Sequence, residues 1–161
     1  MFISFISIIL VLMFVCPIVS VCADRFIFHS SALIMLLVGK WFVFWVGGVR
    51  LFGAGLRQLS TPRFTAEKIF GITGNGSLSF IRELGTANIA TGTVCVLSLY
   101  KPAFVFPMAI VAAIFFGLAG ARHVTDAHRT QTQNVVMVTD ILVSLVLISY
   151  VGSVVFGSAV H

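Results

Sequence analysis

Ionisable and amide side chains set inside long apolar runs are the first candidates for chemistry in this sequence. Arg50, Glu83, Asn88, His123, Asp126 and Asp140 all lie within such runs or at their edges. A carboxylate beside a guanidinium or an imidazole can hold an ion, pass a proton or act as general acid and base. On insertion scales a lone Asp or Arg at the middle of a bilayer costs about 2.5–3.5 kcal/mol, so such groups are expected to turn inward and pair. Glu83 and Asp140 are therefore predicted to face a bundle interior. At least one of them should come within hydrogen-bond reach of Arg50, Arg82, Asn88 or His123. His123 and Asp126 are three apart and share a face if the helix continues. They fall short of the three or four ligands of a zinc site, and the chain has neither H-x-x-x-H nor C-x-x-C. No metal or cofactor is expected. G-x-x-x-x-G-K-[ST], G-x-S-x-G and H-E-x-x-H are absent too.

The elements that must carry these residues are read from the composition. Of 161 residues 59% are hydrophobic and only 9% charged, and the mean hydropathy is +1.11. Soluble domains carry roughly 25% charged residues. The composition excludes a soluble enzyme, a disordered tail and a nucleic-acid-binding module. Ten Lys and Arg against five Asp and Glu give a net charge of +5. These cations flank apolar runs, which is how membrane proteins report orientation and contact anionic headgroups. The three cysteines, Cys16, Cys22 and Cys95, suggest no disulfide framework.

The predicted fold is all-α: a polytopic transmembrane helical bundle of five spans, a four-helix bundle plus an N-terminal helix, in one membrane domain. The spans are placed at about 2–23, 32–55, 78–100, 103–121 and 135–160. The first run has a plausible cleavage site at Val21-Cys22-Ala23. It lacks the basic n-region of a signal peptide, and a transmembrane helix is the preferred reading. Between the second and third spans, Thr61-Pro62 reads as an N-cap and first helical position. A short surface helix over Arg63 to Phe70 would come next, offering Phe64 and Phe70 to lipid, with Gly71 as its C-terminal cap. Gly74-Asn75-Gly76-Ser77 reads as a turn. Lys40 is expected either to snorkel or to pair.

Five spans set the termini on opposite sides. The face with the 56–77 and 122–134 loops carries Arg57, Arg63, Lys68, Arg122 and Arg129, whereas the other carries Arg25 and Lys101. The positive-inside rule then places the N-terminus in the cytoplasm and the C-terminus outside. All six candidate residues fall at similar depth in the cytoplasmic half. Two stripes of small residues, Ala113-x-x-x-Gly117-x-x-x-Ala121 and Ser149-x-x-x-Ser153-x-x-x-Gly157, are expected to bring helices close together, within the bundle by preference or else in an oligomer.

The segment from Ser79 to Gly92 resembles an uncharacterised bacterial inner-membrane family with a DoxX-like helical bundle, whose pattern is P-F-Q-x-E-hydrophobic-x-x-A-N-hydrophobic-x-x-G. Phe80, Glu83, Ala87, Asn88 and Gly92 match it, while Ser79 and Ile81 replace its Pro and Gln. Thr65 to Gly71 resembles the family's lead-in, Gly120-Ala121-Arg122-His123 its G-x-x-H, and Asn134 to Asp140 its N-x₅-D. Where the family often has a His near the end of the second span, this chain has Arg57-Gln58. The resemblance implies a compact bundle with a polar site around Glu83, Asn88, His123 and Asp140, and no known reaction.

Three functions stand as expectations. The first is a non-catalytic subunit or binding protein in the membrane. The second is a small carrier for an ion or small molecule, using Arg50, Glu83, Asn88, His123, Asp126 and Asp140. The third is an intramembrane enzyme on a lipophilic substrate, with Glu83 or Asp140 as general acid–base. The expected partners are the lipid bilayer and either a homo-oligomer or a larger membrane complex, with no nucleic acid.

Overall fold

The computed structural model describes residues 2–125 and 129–157, with side chains from Ile6 onward. These residues are about 85% helical and contain no strand. Among the described residues four helices are long and apolar enough to cross a membrane: Ile6–Ile27, Ile34–Ser60, Pro102–Val124 and Gln131–Gly157. We label the first two α1 and α2. The short helix over 62–69 is α3, Leu78–Leu97 is α4, Val105–Val124 is α5 and Gln131–Gly157 is α6. The span expected at 78–100 is a helix, α4, but it is not among the four. Arg82, Glu83 and Asn88 dilute its apolar character.

Helix ends differ from the sequence reading where polar residues find partners. The helix of α1 continues through Asp24 and Arg25 to Ile27, because Asp24 is held by side chains of α2. Helix α2 runs on to Ser60, and α5 extends beyond Ala121 to take in Arg122 and His123. Thr61 is not a side-chain cap for α3; its hydroxyl instead donates to the Arg57 carbonyl at 3.1 Å. Gly71, with φ +67°, closes α3 in the left-handed region that favours glycine.

Helices α2 and α4 run antiparallel, as do α5 and α6, and these two close crossings fix the bundle. On α2 and α4, a Cβ added at Gly55 would lie 2.6 Å from the Gly85 carbonyl oxygen, and one at Gly92 would lie 2.7 Å from the Phe52 nitrogen. Backbones this close exclude any side chain, as in small-residue membrane interfaces. The second crossing joins α5 and α6, where the Ser144 hydroxyl donates to the Ala113 carbonyl at 2.8 Å. Two of the three members of the first predicted stripe lie at this crossing. Ala113 and Gly117 face α6, but Gly120 replaces Ala121, which is exposed. For the second stripe the intrachain alternative is corrected: Ser149, Ser153 and Gly157 all point out of the bundle. The buried face of α6 runs through Val136, Asp140, Val143, Leu147 and Tyr150, a spacing of three and four that leaves those positions on the far side.

The core is built from Met13 of α1, Val43 and Val46 of α2, Ala109, Ala112 and Phe116 of α5, and Val143 and Leu147 of α6. Within α2 the stretch Val43–Arg50 follows the wider π-helical bonding pattern. Such insertions shift the phase of the succeeding turns and are frequent near functional sites. This one ends on Arg50.

Candidate functional site

Arg50 projects from α2 onto α6. Its Nη2 donates to Asp140 Oδ1 at 3.0 Å, and the two side chains are 15% and 4% exposed. The guanidinium also lies over the Phe116 ring, 4.9 Å from its centroid. A flat cation sandwiched between a carboxylate and an aromatic face is well satisfied in a dry setting. Asp140 can sit here because Val136, Val143 and Leu147 place its side of α6 against the bundle.

Asn88 occupies the buried face of α4, between Gly85 and Gly92. Its Nδ2 donates to Gln58 Oε1 of α2 at 2.8 Å, and both residues are buried. His123 is also buried, at 4% exposure, near the end of α5. Its carbonyl accepts a bond from Arg129 Nη1 at 2.9 Å, which ties the loop beyond α5 to the helix end.

These groups line one cavity of about 330 Å³. Arg50, Asn88, His123 and Asp140 all reach it, as do Arg57 and Gln58. The remaining wall is largely apolar. Ile8, Ile9 and Leu12 come from α1, and Phe115 and Ala119 from α5. Phe64, Thr65 and Ile69 come from α3, and Phe70 from the residue that ends it. The expected role of Phe64 and Phe70 is therefore corrected: they cap the cavity rather than reach into lipid. Arg57 stacks over Phe64 at 3.7 Å, and Arg122 over Phe70 at 4.7 Å. Gln133 Nε2 of α6 donates to the Ile69 carbonyl at 3.0 Å. Three side chains thus pin α3 across the end of the bundle.

Four of the six sequence candidates therefore meet in one place. Glu83 does not. It is exposed on α4, and its carboxylate has no partner among the described residues. The inward expectation for Glu83 fails on helical phase, because Asn88 five residues later takes the buried face. Asp126 lies outside the described residues. Arg57 and Gln58 were missed as wall residues, although their phase with Arg50 and Ala54 on α2 would have found them. Among the described residues no three His, Cys, Asp or Glu side chains gather as metal ligands.

The other end of the bundle holds a second ion pair. Lys40 Nζ of α2 and Asp24 Oδ2 of α1 are 2.7 Å apart, with side chains 37% and 14% exposed. Trp41 Nε1 donates to the same Oδ2 at 2.8 Å. Lys40 thus takes the pairing alternative. Trp45 Nε1 donates to Ser20 Oγ at 3.0 Å, a further tie between α1 and α2.

The sequence of residues 3–153 matches a family of unknown function, DUF6790. The chain belongs to this family. The match takes in all the described cavity residues, from Ile8 to Asp140. Neither the curated proteins nor the solved structures contain a match.

Proposed function

We propose that this member of the family is a non-catalytic binding protein of the membrane, and that the cavity between α1, α2, α4, α5 and α6 is its ligand site. The observation that carries this reading is the convergence of Arg50, Asn88, His123 and Asp140 on one largely apolar cavity. Ligand pockets of roughly 300–1,000 Å³ with apolar walls and a few placed polar groups are the common pattern. The ligand's polar end would meet the Arg50–Asp140 pair and the Asn88–Gln58 amides, and its apolar part the walls from α1 and α5. The carrier and enzyme readings would use the same residues, except Glu83, which points away from the cavity. Native mass spectrometry of protein released from gentle detergent tests the reading. Wild type should carry a small-molecule adduct, and Ala119→Phe, which fills the wall, should lose at least tenfold in occupancy. Equal spectra from both proteins, with or without an adduct, would overturn it.

The topology in this proposal keeps five spans, with α4 as the fifth. At about 1.5 Å per residue, its 20 residues span about 30 Å, the thickness of the hydrocarbon core. The N-terminus is placed in the cytoplasm and the C-terminus outside, by the cation bias toward the α3 side. A DoxX-like bundle in a bacterial inner membrane remains the proposed setting.

A second reading, a subunit that pairs with a further copy or with a larger complex, is favoured by Glu83. A carboxylate on the outer face of a membrane helix is costly toward lipid, and Thr86, Ala90 and Thr93 beside it are small and exposed. A partner on this face would cover them. Native gels should then show an oligomer that Glu83→Leu dissociates; a monomer in both forms would remove this reading.

A further inference from the structure

The buried amides of the cavity have hydrogen-bonding capacity left over. Asn88 and Gln58 share one bond, from Asn88 Nδ2 to Gln58 Oε1 at 2.8 Å. Among the described residues nothing else bonds either side chain, which leaves Asn88 Oδ1 as a spare acceptor and Gln58 Nε2 as a spare donor. Asp140 adds a second acceptor in the same wall. Its Oδ1 accepts from Arg50, and its Oδ2 accepts from no described residue. Asn88, Gln58 and Asp140 are 4%, 7% and 3% exposed, and all three border the cavity. None of the three spare atoms is walled in, so each opens on the space that its residue borders.

Two spare acceptors and one spare donor state what a ligand has to bring. A buried polar atom without a partner is costly. A head that only accepts, such as an ether, an ester or a quinone, would leave Asn88 Oδ1 and Asp140 Oδ2 unanswered. One that only donates, such as an ammonium, would leave Gln58 Nε2 so. A hydroxyl or a carboxamide does both. The rest of the wall is largely apolar, and the cavity's 330 Å³ lies at the small end of ligand pockets. It therefore suits one head group on one hydrocarbon chain.

Resting on the binding-protein reading, we infer that the ligand is a single-chain amphiphile whose head both donates and accepts hydrogen bonds, a hydroxyl or a carboxamide. It sets that head against the Asn88–Gln58 amides and lays its chain along Ile8, Leu12 and Phe115. The shared chemistry is a head with an O–H or N–H to give, beside an oxygen that accepts.

The test uses the full chain in phosphatidylcholine nanodiscs, with empty discs as background for partition into lipid. The probes form two pairs on one chain length: dodecan-1-ol with methyl dodecyl ether, and dodecanamide with N,N-dimethyldodecanamide. In each pair methylation removes the donor and keeps the acceptor. The alcohol or the amide should bind about tenfold or more tightly than its methylated counterpart, and the pair that shows it identifies the head. Asn88→Leu with Gln58→Leu should bring that probe down to its counterpart's level and leave binding of the counterpart unchanged. If this variant does not fold, the wild-type comparison decides. Methylated probes that bind wild type as tightly as their parents, or a folded double variant that keeps the full preference, would overturn the donating head and leave the cavity as a binding site. No probe binding above empty discs would overturn both.

Discussion

Helix α2 contributes a cation to each of two ion pairs, and the pairs have different surroundings. Lys40 meets Asp24 near the end of α1, where both side chains are partly exposed and Trp41 adds a second donor. Arg50 meets Asp140 in the wall of a cavity, with the carboxylate only 4% exposed. The first pair joins helices that are adjacent in sequence, and both its members border a cavity of about 450 Å³ together with Ser30, Ser98 and Tyr150. The second joins α2 to α6, 90 residues apart, and leaves open space beside it. Ion pairing alone does not mark a site. Nor does space beside the pair; a largely apolar wall onto which several buried polar side chains converge, Asn88, Gln58 and His123 beside Asp140, sets the inner region apart.

The largest expected effect comes from breaking the inner pair. Asp140→Leu leaves Arg50 as a buried cation and should lower stability by about 3–5 kcal/mol. Denaturation followed by circular dichroism in detergent checks this. Arg50→Met together with Asp140→Leu should recover most of that loss, since replacing a whole buried pair by apolar groups is often nearly neutral. A double variant as unstable as the single one would mean that the pair holds the bundle together. The outer pair should matter less. Lys40→Met should cost roughly 0.5–1 kcal/mol, because Trp41 still donates to Asp24 and both groups can reach the headgroup region. A larger loss than for Asp140→Leu would reverse the ranking of the two regions.

Much of this was legible in the sequence. The apolar runs of α1, α2, α5 and α6 announce themselves, and the energetic cost of a buried Asp140 pointed to a basic partner. Asn88 with Gly85 and Gly92 at three and four residues' distance marked the packed face of α4. The same spacing sets Glu83 about 140° away from Asn88, so its outward position was available from phase alone. Other features were not legible. The inward turn of Phe64 and Phe70 depends on Gln133 and Arg122 from distant helices, which no local pattern reveals. The extension of α1 past Asp24 depends on Lys40 and Trp41 across a loop.

The contrast between the two regions is tested most directly by ligand occupancy in two folded double variants. One is Asp24→Leu with Lys40→Met, and the other is Arg50→Met with Asp140→Leu. Native mass spectrometry of each, beside wild type, reads the fraction of protein that carries an adduct. The outer double variant should keep wild-type occupancy, and the inner one should lose tenfold or more while still unfolding cooperatively. Equal occupancy in the two variants, or loss confined to the outer one, would contradict a binding site built around Arg50 and Asp140.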